Sequence, residues 1–163
     1  MKINLEKLRR FLVRAKKETY ASLKSKEVAP ERAGHKELEF QENEFYYIDS
    51  YIGFFQAPGM EEVRIGGKNG ETIWAMAYSG GMLQKFQKDL EFAKSTFNFL
   101  KKALKLVNEK TPYRGPIKLE RGEWKYLNEN TGDIKRFKGI ERIFFKDEEV
   151  FSQEYIGGIV IKK

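Results

Sequence analysis

The chain has 163 residues, a mass of 19.1 kDa and a formal net charge of +7 at pH 7, the size of one ordinary domain. It has no cysteine and one histidine, His35, which excludes disulfides, thiolate metal sites, thiol nucleophiles and multi-histidine metal centres. With 34% charged and 14% aromatic residues, its composition is globular and not disordered.

No apolar run approaches the ~20 residues of a membrane helix. The stretch Met1-Lys2-Ile3-Asn4-Leu5-Glu6 turns charged too soon for a secretory signal. These features predict a cytoplasmic protein without a membrane partner. Abundant lysine and glutamate without cysteine is the compositional direction of thermophilic proteins.

Charge is unevenly distributed. Residues 1–36 carry 11 basic and 4 acidic groups, residues 37–83 carry 2 and 8, residues 84–116 carry 8 and 3, and residues 117–163 carry 10 and 9. Basicity sits on the two segments that read as helices, and acidity on the strands between them.

Residues 4–18 predict an amphipathic helix, with Asn4 as N-cap and Glu6 in the first turn. Leu5, Leu8, Phe11, Leu12 and Ala15 form its apolar stripe, and Lys7, Arg10, Arg14 and Lys17 share the opposite side. Residues 22–36 lose periodicity around Pro30 and Gly34 and read as a mobile loop carrying His35. Residues 37–52 alternate as a hairpin through Glu42-Asn43-Glu44. Leu38 and Phe40 oppose Glu37, Glu39 and Gln41. Phe45, Tyr47, Asp49 and Tyr51 share one face, and Tyr46, Ile48 and Ser50 the other.

A second hairpin has arms at 61–66 and 71–79 joined by Gly66-Gly67-Lys68-Asn69-Gly70. Its second arm, Ile73-Trp74-Ala75-Met76-Ala77-Tyr78, reads as a central strand covered on both faces. A long helix follows at 83–108, with Phe86, Leu90, Ala93, Phe97, Leu100, Leu104 and Val107 at alternating steps of four and three. The loop Pro112-Tyr113-Arg114-Gly115-Pro116 ends it. Strands at 117–128, 134–146 and 149–161 complete the chain, with turns at 128–133 and 146–148. Gly157-Gly158 marks a bulge or a close backbone approach. No internal repeat stands out. The fold expected is α+β: one domain spanning 1–163, a mainly antiparallel twisted sheet of six to seven strands, and an N-terminal and a long central helix packed on it.

Motif searches exclude a phosphate-binding loop, a dinucleotide fingerprint, a zinc-protease helix and a nucleophile elbow. A Ser50–His35–Asp49 triad fails because Ser50 and Asp49 point to opposite strand faces. Glu37 with Glu39, and Glu61 with Glu62, read as exposed edge-strand acids. Asp49 is different, because alternation places it between Tyr47 and Tyr51 on a central strand. A carboxylate there needs a hydrogen bond or ion pair, from a tyrosine hydroxyl, Arg114 or a ligand. Polar-tipped aromatics (Tyr20, Tyr47, Tyr51, Trp74, Tyr78 and Tyr113 among them) suit a pocket wall as well as an ordinary sheet.

The words Thr19-Tyr20-Ala21, Tyr47-Ile48-Asp49-Ser50-Tyr51-Ile52-Gly53, Glu61-Glu62-Val63, Trp74-Ala75-Met76-Ala77-Tyr78-Ser79-Gly80, Phe99-Leu100-Lys101-Lys102-Ala103-Leu104, Pro112-Tyr113-Arg114-Gly115-Pro116 and Gly157-Gly158 occur in this order. Nearly the whole chain thereby resembles a family of small bacterial and archaeal proteins catalogued as a domain of unknown function. Family members occur alone or behind a helix-turn-helix similar to that of Cro/C1-type repressors, which implies a sensor or oligomerisation module. The DNA-reading helices are not in this sequence. The family's pattern has a histidine before the final glycine pair, where this chain has Ile156. The resemblance brings no reaction, catalytic residue or cofactor.

Three readings follow. The first is a non-enzymatic ligand-binding or regulatory module taking a small anionic or polar ligand. Its pocket is formed by Tyr47, Asp49, Tyr51, Trp74 and Tyr78, with Tyr113 and Arg114 at the rim and Arg114 as an anion clamp. The second is a nucleic-acid-associated protein using Lys7, Arg10, Arg14 and Lys17. The third is an enzyme with Asp49 and Arg114 in its site. No metal is expected, and a homo-oligomer is compatible with this composition.

Overall fold

The computed structural model describes residues 3–22 and 27–163. Part of the loop expected at 22–36, residues 23–26, lies outside them. The chain runs α1 (Leu5–Glu18), β1 (Lys36–Glu42), β2 (Phe45–Tyr51), β3 (Gly59–Ile65), β4 (Glu71–Met82), α2 (Leu90–Leu104), β5 (Lys118–Arg121), β6 (Trp124–Asp133), β7 (Arg136–Phe145) and β8 (Glu148–Ile159). The strands form one sheet ordered β1-β2-β3-β4-β8-β7-β6-β5. Each neighbouring pair is antiparallel. No helix among the described residues is long and apolar enough to cross a membrane.

The α+β class, the two helices and the antiparallel sheet agree with expectation, but there are eight strands. The segment expected as one strand at 117–128 is a hairpin, β5 and β6, turned at Gly122 with φ 59°. The turn expected at 128–133 instead lies inside β6.

Local chemistry explains the helices. Asn4 caps α1, its side chain accepting from the Lys7 amide at 3.0 Å. Leu8, Phe11, Leu12 and Ala15 are buried as their spacing requires. The second helix is shorter than the expected 83–108. Asp89 caps it by accepting from the Phe92 amide at 2.9 Å, and residues 84–86 form a separate 3₁₀ turn. Its buried side is Ala93, Thr96, Phe99, Leu100, Ala103 and Leu104, the stripe of a 3.6-residue period. Leu90, placed on the expected heptad seam, is exposed.

The order of elements is α1-β1-β2-β3-β4 followed by α2-β5-β6-β7-β8, the same unit twice, joined where β4 meets β8. Registers repeat as well. Asp49 pairs with Glu61 as Asn128 pairs with Glu141, and Gly59 pairs with Tyr78 as Gly139 pairs with Tyr155. Tyr78 is itself opposite Tyr155 in the joining pair, so a pseudo-two-fold axis passes between these two tyrosines. The chain betrays this repeat in one place. Tyr78-Ser79-Gly80-Gly81 returns as Tyr155-Ile156-Gly157-Gly158.

Both helices lie on the face bearing Tyr47, Asp49 and Tyr78. Phe11 of α1 packs on Phe40 and Phe45, and Phe92 and Phe99 of α2 pack on Trp124. The α1 cluster reaches into the second half through Tyr113, Ile134, Phe137 and Tyr155, and the α2 cluster includes Ala21 and Met82 of the first. The opposite face is largely open. β4 is central as expected, but covered on one face only, with Ala77 exposed on the other. Over β1 and β2 the open face is closed by residues 27–35, whose Val28 bridges Glu37. Gly157 is a close approach and not a bulge, since a Cβ there would strike the Ala75 carbonyl.

Candidate functional site

A cavity of about 270 Å³ opens between the two halves on the helix-covered face. From the first half come Lys16, Tyr20, Tyr47, Asp49, Glu61 and Tyr78. The second half contributes Phe97, Leu100 and Leu104 from α2, Arg114 from the following loop, and Phe151 and Gln153 from β8. One wall is thus aliphatic and aromatic, and the floor is charged.

The floor is unusually rich in buried ionisable groups. Lys16, Asp49, Glu61, Arg114 and Glu141 are all at least nine-tenths buried, where an isolated charge is costly. Two ion pairs answer that cost. Lys16 Nζ donates to Glu61 Oε2. Arg114 Nε stands 3.5 Å from Glu141 Oε1, and Glu141 also accepts from Tyr126 at 2.7 Å and from Gln153 at 3.0 Å. Burial pulls the Lys16 ammonium below its ordinary range, against the attraction of Glu61. Burial also opposes the charge on Arg114, but Glu141 and Glu61 hold it above its usual range as a cation.

Among the described residues no cation is bonded to Asp49. Tyr78 donates to its Oδ1 at 2.6 Å, so of the three partners the sequence left open, a tyrosine hydroxyl, Arg114 or a ligand, the tyrosine is the one bonded. Burial, and then the negative Glu61 opposite it, push the Asp49 carboxyl up to about 7, against the Tyr78 bond. It therefore changes charge near neutrality. Tyr47 and Tyr78 are pushed up by burial and by these carboxylates, and remain phenols.

Arg114 sits on the pseudo-axis. Its guanidinium lies over the Tyr78 ring at 5.0 Å and the Tyr155 ring at 5.5 Å, a double cation–π contact. Its Nε and Nη2 are buried without a hydrogen-bond partner. In native proteins such groups are nearly always satisfied, and an orphan at a cavity marks a place for an acceptor.

Of the residues singled out in the sequence, Tyr47, Asp49, Tyr51, Tyr78 and Arg114 meet at this cavity. Trp74 and Tyr113 do not. They are fully buried against Phe137, with ring centroids 5.8 and 3.9 Å from it. Arg114 belongs to the floor rather than the rim. Glu37 and Glu61, expected as exposed edge acids, are only 1% and 2% exposed.

His35 Nδ1 lies 3.1 Å from Ser50 Oγ, whose hydroxyl donates to Glu37 Oε1 at 2.9 Å. The serine proton is thus committed to Glu37, and Asp49 is on the other face, so no triad forms. Three members of the basic stripe are paired within the chain: Lys7 with Glu44, Arg10 with Glu6 and Glu109, and Arg14 with Glu42. Among the described residues no cluster of three or more His, Asp or Glu is placed to hold a metal ion.

The residues the sequence reading missed are Lys16, Glu61, Glu141 and Gln153. A signal for Lys16 was present, since Leu8, Leu12 and Lys16 follow at steps of four on the buried stripe. Residues 49–160 match the family described as a domain of unknown function (DUF5680). The chain belongs to this family. No curated protein and no solved structure matches it. The matched segment holds Asp49, Glu61, Tyr78, Arg114, Glu141 and Gln153, and leaves out α1 with Lys16. Ile156, where the family resemblance led to a histidine, is 60% exposed and lies across from Ala77 and Lys138 on the open face, away from the cavity.

Proposed function

We propose that this DUF5680 protein is a non-enzymatic small-molecule-binding module, with the inter-half cavity as its site. The observation that carries the reading is Arg114. Its guanidinium is nearly fully buried, its Nη2 has no hydrogen-bond partner while Nε faces Glu141, and it lines a cavity with an apolar wall. A purely structural arginine at this depth would have its donors spent within the protein. At about 270 Å³ the cavity stands just under the usual ~300–1,000 Å³ of ligand sites, which suits a compact metabolite. Among the described residues no serine, threonine, cysteine or histidine lines the cavity, and its buried lysine, Lys16, is committed to Glu61, which favours binding over turnover.

Native mass spectrometry beside the denatured mass tests this directly. A stoichiometric small-molecule adduct that is lost on denaturation is the expected result. A clean native mass, with no stabilisation by any member of a metabolite panel, overturns the reading.

A further inference from the structure

The internal repeat supplies a template for what the cavity takes. In the second half, Asn128 accepts from Tyr155 at 2.7 Å and donates its amide to the Gly115 carbonyl at 3.2 Å. The loop 113–115 is therefore the built-in occupant of that half's polar site. In the first half, Asp49 accepts from Tyr78 in the same register, but it faces the cavity and not a loop. The residue has also changed from an amide, which can donate to a carbonyl, to a carboxylate, which can only accept when ionised. What meets Asp49 must then be a donor. Arg114 Nε already faces Glu141, so what meets its Nη2 must be an acceptor.

Both groups flank the same ring, Arg114 over the face of Tyr78 and Asp49 at its hydroxyl. One compact head group can therefore reach both. A ligand carrying only an anion would leave the Asp49 carboxylate facing it, and one carrying only a cation would leave the arginine donors unspent. A zwitterion satisfies both and adds no net charge to a floor whose other charges are already paired. The apolar wall of Phe97, Leu100, Leu104 and Phe151 then receives a hydrophobic substituent.

Resting on the small-molecule reading above, we infer that the cavity binds a free α-amino acid with an apolar side chain. Its ammonium lies at Asp49, its carboxylate at Arg114 and its side chain against α2. The test is calorimetric titration of the full chain at pH 8 with L-phenylalanine and L-leucine, beside phenethylamine and 3-phenylpropanoate, which each lack one charge.

The expected result is saturable binding of an amino acid, with a loss of roughly 30-fold or more for each truncated probe. Asp49→Asn should abolish the preference for the amino acid while keeping or improving binding of 3-phenylpropanoate. Arg114→Lys should weaken all three carboxylate-bearing probes. Equal binding of phenylalanine and 3-phenylpropanoate, or an Asp49→Asn protein that binds phenylalanine unchanged, overturns the assignment. A native-mass adduct lacking an amine overturns it too, while leaving the cavity as a binding site. Absence of any adduct and of binding by every probe overturns both.

Discussion

The first half of the sheet and the second are built to one plan and finished differently. Each has a tyrosine on the joining strand, a glycine opposite it, and a glutamate two residues along on the same neighbour. In each, a cation delivered by the helical side meets that glutamate: Lys16 at Glu61, Arg114 at Glu141. The second half closes over its polar site with its own loop, and every acceptor there is spent. The first half keeps a carboxyl where the other has an amide, and opens to a cavity. A repeated scaffold thus presents one half whose polar site is filled by its own chain and one whose polar site opens to the shared cavity. The difference rests on few residues: Asp49 against Asn128, Lys16 against Arg114, Met76 against Gln153.

Breaking the closed half should cost most. Glu141→Ala removes the partner of a fully buried guanidinium and the acceptor of Tyr126 and Gln153. A loss of about 3–5 kcal/mol is expected, read as a lower urea midpoint at unchanged slope. A loss under ~1 kcal/mol would show that Arg114 reaches another partner.

The two axial tyrosines sharpen the contrast. Tyr155→Phe leaves Asn128 short of a donor and should cost about 1–3 kcal/mol at every pH. Tyr78→Phe removes a bond that favours ionised Asp49, so its cost should be small at pH 5 and grow above pH 7. Parallel pH dependence in the two variants would contradict the assignment of Asp49 as the titrating member.

The last contrast is the pH signature of Asp49 itself. Its folded carboxyl is raised to about 7, so the folded state holds a proton that the unfolded chain releases near pH 4. The stability this proton brings is present below pH 4 and is lost as pH rises toward and through 7. The groups facing it are Lys16 from α1, Glu61 from β3, Tyr78 from β4 and Arg114 from the loop, with Tyr47 on its own strand. Asp49→Asn should therefore gain about 2–3 kcal/mol more at pH 8 than at pH 5, measured by thermal melts in matched ionic strength. A gain of the same size at both pH values would place the titration elsewhere.

Much of this plan was legible in the residues, and what escaped did so for physical reasons. Asn4, Asn43 and the 66–70 glycines announced a cap and two turns, because capping and positive φ demand particular side chains. Alternation alone singled out Asp49 as a carboxylate in need of a partner, with a tyrosine hydroxyl, Arg114 and a ligand all open. Gly122 was passed over because one glycine between charged neighbours resembles a solvated strand. Asp89 as a cap was hidden by the apolar steps running through it from Phe86 to Leu90. Burial of Glu61, Glu141 and Lys16 could not be foreseen from side-chain type, since charged residues are buried only when paired, and their partners are far apart in sequence. Arg114 was recognisable as a word, but its place on the axis depends on how β4 finds β8.

That meeting of β4 with β8 also bears on folding. Within each half the strands follow one another through tight turns and can zip locally, at small loop-closure cost. The joining pair brings residues 74–82 against 151–159, the strand pairing of greatest sequence separation and so of greatest loop-closure cost. Asp49 and Tyr78 belong to one side of that seam, and Arg114, Phe151 and Gln153 to the other. The cavity therefore exists only once the seam has closed. A molecule held there acts as a staple across it, drawing the docked arrangement out of the undocked one by mass action.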